Sequence, residues 1–137
     1  MHSAEHILNQ TMVRMFNCER SFSSHIETKK SKCDYRFQRS LTFEEEIELS
    51  NSVNDVISQQ LEITEQLIPL TEAELSFNLK RLPEESGETI RIVSVGEYDH
   101  CPCIGPHVKN TKEIGHFQLV STSFENGILR VRFKLLH

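Results

Sequence analysis

Two short stretches far apart in the chain constrain the fold more than anything else in it: His2-Ser3-Ala4-Glu5-His6 at the start and Cys103-Ile104-Gly105-Pro106-His107 near the end. Histidines four apart on a helix project from one face about a turn apart, so both imidazoles can reach one ion. Cys103 and His107 repeat that spacing on a loop containing Gly and Pro. Three imidazoles and a thiolate suit tetrahedral zinc, whereas magnesium and calcium take oxygen ligands. Either pair alone also reads as surface or helix-capping residues. Together they point to one shared metal site, and the chain between them must fold so that its two ends meet.

At 137 residues the chain fits one domain, 1–137, large enough to bury roughly two-thirds of its unfolded surface without disulfide help. Its 37 % hydrophobic and 26 % charged residues are those of an ordinary globular protein, and no apolar run approaches the roughly 18 residues of a membrane span. No signal-like segment opens the chain, so Cys18, Cys33, Cys101 and Cys103 are expected as thiols or metal ligands in the cytoplasm. A net charge of −5 argues against strong nonspecific nucleic-acid binding but leaves room for a local basic patch.

From Ser3 to Phe16 the apolar residues Ala4, Ile7, Leu8, Met12, Met15 and Phe16 recur at helical spacing. Phe22 to Thr28 and Lys32 to Arg39 read as a hairpin around Lys29-Lys30-Ser31. Thr42-Phe43-Glu44-Glu45 is a capping-box sequence opening a helix with Ile47, Val53, Val56, Ile57 and Leu61 on one side. Ile63 to Pro69 reads as a short strand, Thr71 to Glu74 as a short capped helix, and Leu82 to Glu88 as a loop. A buried strand over Ile90 to Val95 delivers the chain to the Cys/His loop. Phe117–Phe124 and Ile128–Leu136 are strands joined by Glu125-Asn126-Gly127, because Asn-Gly accepts positive φ. The order gives an α+β fold: an antiparallel-rich sheet with helices packed mainly on one face, and the zinc site between the N-terminal helix and the C-terminal Cys/His loop.

His2-Ser3-Ala4-Glu5-His6-Ile7-Leu8, followed by Cys103-Ile104-Gly105-Pro106-His107-Val108 and then Thr111-Lys112-Glu113-Ile114-Gly115, resembles the editing domain shared by alanyl- and threonyl-tRNA synthetases. The similarity is greater still to the short freestanding alanyl-tRNA editing proteins, and it extends over essentially the whole chain. The family's usual loop reads Cys-Gly-Gly-Thr-His, so Ile104 and Pro106 here replace a glycine and a hydroxyl. The resemblance implies zinc-dependent hydrolysis, in trans, of mischarged aminoacyl-tRNA, with seryl- or glycyl-tRNA for alanine as the first expected substrates. It implies His2, His6 and Cys103 as core ligands, with His107 either a fourth ligand or a proton carrier. It places Ser23, Ser24 and His25 along the substrate pocket, with Ile104, Gly105 and Pro106 of the loop as further substrate-binding positions. A synthetase is a further expected partner, and no membrane is.

Zinc in such a set supplies a Lewis acid for an ester carbonyl and a water of lowered pKa. Cys101 is an alternative ligand to Cys103. His2 to His6 also matches H-x-x-E-H, the inverted zinc-peptidase motif with Glu5 as general base, although that reading leaves Cys103 and His107 unused. Glu5 is a base in either reaction or an exposed helix residue. A third reading is a binding module that holds tRNA or a synthetase without hydrolysis. In the last strand Arg130, Arg132 and Lys134 share one face at about 7 Å intervals, which makes them phosphate contacts or an ordinary solvated face.

Overall fold

The apolar stripe at the start of the chain closes into helix α1, His2–Phe16, with Ala4, Ile7, Leu8 and Met12 fully buried. The helix stops where Asn17 takes a left-handed φ of 53° and returns its N–H to the Val13 carbonyl, a conformation asparagine tolerates well. We describe residues 1–69, 89–103 and 105–136 of a computed structural model. The expected helix at 71–74, the loop at 82–88 and Ile104 lie outside them.

The hairpin is present as β1, Ser23–Ile26, and β2, Ser31–Arg36, both shorter than the sequence suggests. The Ser31 hydroxyl accepts from the Glu27 N–H and donates to the Glu27 carbonyl, and this local closure takes the chain out of the ladder early. Helix α2, Phe43–Ser58, begins with the expected capping box: Thr42 Oγ1 accepts from Glu45 N–H at 3.1 Å and Glu45 accepts from Thr42 N–H at 2.9 Å. Its buried face is Leu49, Val53, Val56 and Ile57, spaced i, i+4, i+7, i+8. Ile47 falls two residues off that stripe and is exposed.

The remaining strands are β3, Ile63–Pro69; β4, Thr89–Val95; β5, Asp99–Pro102; β6, His116–Glu125; and β7, Ile128–Leu136. All pairings are antiparallel, but they form two sheets rather than one: β1-β2-β7-β6 and β3-β4-β5. Strand β5, through the Cys-Pro-Cys segment, carries no strand signal of its own; its order comes from the β4 ladder, which pairs Val93 with Cys101 and Val95 with Asp99. The β6–β7 turn has Asn126 and Gly127 both at positive φ, as a two-residue hairpin of this twist requires.

One core joins the two sheets. Cys33, Tyr35, Val131 and Phe133 of the larger sheet cluster with the buried residues of both helices and with Val93 and Val95 of the smaller one. Full burial of each large apolar side chain contributes about 1.5–3 kcal/mol relative to exposure, so this cluster fixes α1 firmly enough to serve as a platform. Polar pins set its rotation and height. Asn9 Oδ1 accepts from Tyr35 Oη at 2.8 Å and from Ser21 N–H at 3.1 Å, Thr11 Oγ1 bonds Tyr98 Oη at 2.7 Å, and the Arg14 guanidinium lies over the Tyr98 ring. The last two contacts tie α1 to the β4–β5 turn. Four residues after Asp99 the chain reaches Cys103, so clamping that turn to α1 brings the Cys/His loop over the helix's first turns.

Candidate metal centre

The sequence-distant half-sites meet. Among the described residues one group of potential ligands forms, His6, Cys103 and His107, whose donor atoms all lie within 4.8 Å of one another. His107 Nε2 is 3.4 Å from Cys103 Sγ, and the His6 and His107 rings meet edge-on with centroids 4.7 Å apart. His2 stands at the rim of this group: its ring centroid is 6.1 Å from that of His107. Gly105 packs directly under the His2 ring, so closely that a Cβ at this position would lie 2.7 Å from the ring atoms. Cys101 is not in the group.

Each candidate ligand is held by a neighbouring group. Ser3 Oγ is 2.9 Å from His107 Nδ1, which turns Nε2 toward Cys103. His6 Nδ1 faces the carboxylate of Asp99 at 3.4 Å. The backbone N–H of Gly105 points at Cys103 Sγ at 3.3 Å. Arg91, on β4, donates to the carbonyls of Gly105 at 2.7 Å and Cys103 at 3.3 Å and pairs with Glu65, so a strand guanidinium staples the loop's backbone. Beyond the loop, Thr111 is fully buried and caps α2's end, accepting from Leu61 N–H and donating to the Ile57 carbonyl, each at 2.9 Å. Glu113 accepts from the N–H groups of Lys109 and Asn110. The Thr-Lys-Glu-Ile-Gly phrase is therefore a structural lock on the loop's exit. A charged residue inside the apolar run Ile90-Arg91-Ile92 was the available signal for Arg91.

His107 and Cys103 shift toward the forms a metal takes, while at His6 burial lowers the pKa but hydrogen bonds and charge from Asp99 and Cys103 bring it above its ordinary value. Burial drives the His107 pKa down to about 3, with His6 adding to the effect, so its imidazole is neutral. Burial opposes the Cys103 thiolate, yet hydrogen bonding and charge from His6 bring this thiol below its ordinary value. Burial pushes the Cys101 thiol up to about 11. Of the two cysteines, Cys103 is thus the one prepared to be a thiolate. Two imidazoles and a thiolate at this separation fit a zinc-type ion.

The other predicted residues divide. Glu5, read as base or as exposed, is buried at 8 % exposure on the ligand helix. A cavity of about 350 Å³ adjoins the centre, lined by His2, Ser3, Ile26, Thr28 and Pro106 among others. Ser23, Ser24 and His25 do not line it: Ser24 bonds Ser21 at 3.0 Å, while His25 pairs with Glu27 on an exposed surface. The cavity takes the chain at the very end of β1 and just beyond it, at Ile26, Glu27 and Thr28. Gly105 lies beneath His2 rather than in the cavity lining. Arg130 donates to Asp34 at 2.8 and 3.0 Å, so its charge is matched locally; Arg132 and Lys134 form no salt bridge among the described residues.

On an α+β frame, a helix start and a loop bring together a His/Cys/His grouping that could hold a transition metal through nitrogen and sulfur. Residues 90–131, which include Cys103 and His107, match the family described as the threonyl and alanyl tRNA synthetase second additional domain. Nearly the whole chain is similar to alanine–tRNA ligases: 31 % identical over 132 residues to that of Fervidobacterium nodosum (95 % of this chain, 15 % of the ligase), and 30 % over 123 residues to that of Bacillus subtilis (89 % and 14 %). The ligase of Methanocella arvoryzae is 28 % identical over 139 residues, 98 % of this chain and 16 % of its own. The chain is related to this synthetase-associated domain and spans about a seventh of the ligases it matches. No described helix is long and apolar enough to cross a membrane.

Proposed function

We propose that the chain hydrolyses the ester of mischarged aminoacyl-tRNA at a zinc centre held by three of His2, His6, Cys103 and His107, which leaves one position for water or substrate. The observation that carries this reading is the convergence of the three donor atoms to within 4.8 Å from opposite ends of the chain. When bound, zinc supplies Lewis acidity toward the ester carbonyl and lowers the pKa of a water toward about 7. His107 is either one of the ligands or, held at Nδ1 by Ser3 while His2 takes its place on the ion, the proton carrier. Glu5 is the alternative, since its charge acts on both His2 and Cys103. The peptidase reading loses ground because Cys103 and His107 stand against His6 rather than apart from it.

The cavity beside His2 suits a small aminoacyl group: Thr28 offers a hydroxyl, Pro106 and Ile26 close it, and Glu27 and Glu113, held by His25 and by backbone N–H groups, bring negative charge to its rim. Seryl- or glycyl-tRNA for alanine are the substrates to test first. On the outer face of the larger sheet, Lys32 pairs in register with Arg132, and Lys134 follows two residues on, a basic strip for phosphates on an otherwise acidic protein.

The test is a panel of mischarged tRNAs with and without chelator. Zinc-dependent release of the amino acid, abolished by Cys103→Ala, is expected; replacing Arg132 and Lys134 with alanine should slow deacylation of intact tRNA but not of a minimal aminoacyl ester, and lower the salt slope by roughly 0.7–0.9 per lost contact. No deacylation by a zinc-loaded protein that still binds tRNA would make it a binding module.

A further inference from the structure

We infer that Asp99, locked by Arg20, is a positioning residue that sets the tautomer of His6 and so turns its Nε2 lone pair toward Cys103 and His107. The inference deepens the metal reading above and rests on it for its purpose, though not for its geometry.

The Asp99 side chain is 1 % exposed and is held from two sides. Arg20, in the connection between α1 and β1, reaches Oδ1 with Nη1 at 2.6 Å and Oδ2 with Nη2 at 3.4 Å, the fork geometry that fixes a carboxylate in plane. Gln10, one turn along α1 from His6, donates to Oδ1 at 3.3 Å. Oδ1 is thereby occupied twice, and Oδ2 is turned toward His6 Nδ1, 3.4 Å away.

His6 Nδ1 is itself buried and has no formed hydrogen bond. Leaving such a nitrogen unpaired is costly, and the atom it faces can only accept. The arrangement therefore selects the Nδ1–H form, whose Nε2 carries the lone pair; an acidic partner behind a ligand histidine also raises its basicity. A shift of a few tenths of an ångström closes the contact. His107 is handled differently, since the Ser3 hydroxyl at its Nδ1 can donate or accept and fixes no tautomer. Arg20 is needed because a carboxylate this buried stays charged and in place only with a matched cation.

Asp99→Asn discriminates this role from a purely structural staple between the α1–β1 connection and β5. The amide keeps the shape and offers its oxygen to Arg20, which turns the NH2 toward His6 Nδ1 and selects the opposite tautomer. Long-range 15N–1H spectra of the metal-free protein, recorded well above neutral pH, should show His6 as Nδ1–H in the wild type and as Nε2–H in Asp99→Asn. Zinc affinity, measured by competition with a chelating dye, should fall about 10- to 100-fold in the variant. A wild-type His6 already in the Nε2–H form overturns the inference without any variant. So does an Asp99→Asn protein with an unchanged His6 spectrum and unchanged zinc affinity. Wild-type protein with Nδ1–H His6 that takes up no zinc would sink the metal reading and leave the tautomer assignment standing.

Discussion

Gly105 shows how one absent side chain supports the centre. Its Cα faces the His2 ring, and a methyl there would lie 2.7 Å from Nδ1 and Cε1, nearer than a carbon can approach. Gly105→Ala should therefore displace His2 while leaving His6, Cys103 and His107 in place, weakening zinc binding about tenfold without abolishing it. A double-mutant cycle checks the cause: if the methyl acts through His2, Gly105→Ala in a His2→Ala background should cost nothing further. Equal losses in both backgrounds would put the glycine's role in the loop itself. At this scale the grouping of His6, Cys103 and His107 was legible because metal chemistry demands particular residue types at particular spacings. Ser3, Arg20, Arg91 and Asp99 were not legible. What each does depends on partners distant in the chain, 12 and 14 residues on for Arg91, 79 apart for Arg20 and Asp99, and 104 apart for Ser3 and His107, and residue type alone does not encode such pairings.

Elements whose signals are local came out nearly as the sequence suggests. The α2 start is one, and its charge state gives a pH prediction. Hydrogen bonding from Arg39, then from the Thr42 backbone, takes the Glu45 carboxyl from its ordinary 4.5 down to about 2. A carboxylate with a depressed folded-state pKa stabilises the fold above its unfolded value and loses that contribution as pH falls through the folded one. The melting temperature should thus decline between pH 4.5 and about 2, and Glu45→Gln should flatten that part of the profile. Thr42→Ala should lower stability at neutral pH by about 1 kcal/mol, the usual worth of an N-cap, read by thermal melting. The β6–β7 hairpin was legible from Asn126-Gly127 for the same local reason. Strand β5 was not, because its order comes from pairing with β4 and not from a pattern of its own. The place of Ile47 was misjudged because periodicity locates a stripe to within a residue or two, and Leu49 fits the stripe better.

At the scale of the molecule, the requirement that the chain's two ends meet determines the rest. Helix α1 carries one half-site on its first turns, and its polar pins to Tyr35 and Tyr98 tie it at once to the larger sheet and to the turn feeding the loop. The division into two sheets is what permits this: the smaller sheet delivers Cys103 and His107 as its own appendage, while the larger one carries the basic strip on its far face. Sequence patterns gave the strands but not their partition, since alternation along a strand says which face is buried and nothing about which strand lies beside it. The central claim, that the fold exists to close one nitrogen- and sulfur-ligated centre between its ends, is tested most directly by metal analysis. Protein purified with reduced thiols and equilibrated with zinc, then freed of loose metal, should hold close to one zinc per chain by mass spectrometry, and Cys103→Ala should hold almost none at an unchanged circular dichroism spectrum. A wild-type protein that is folded and metal-free under these conditions would contradict the account.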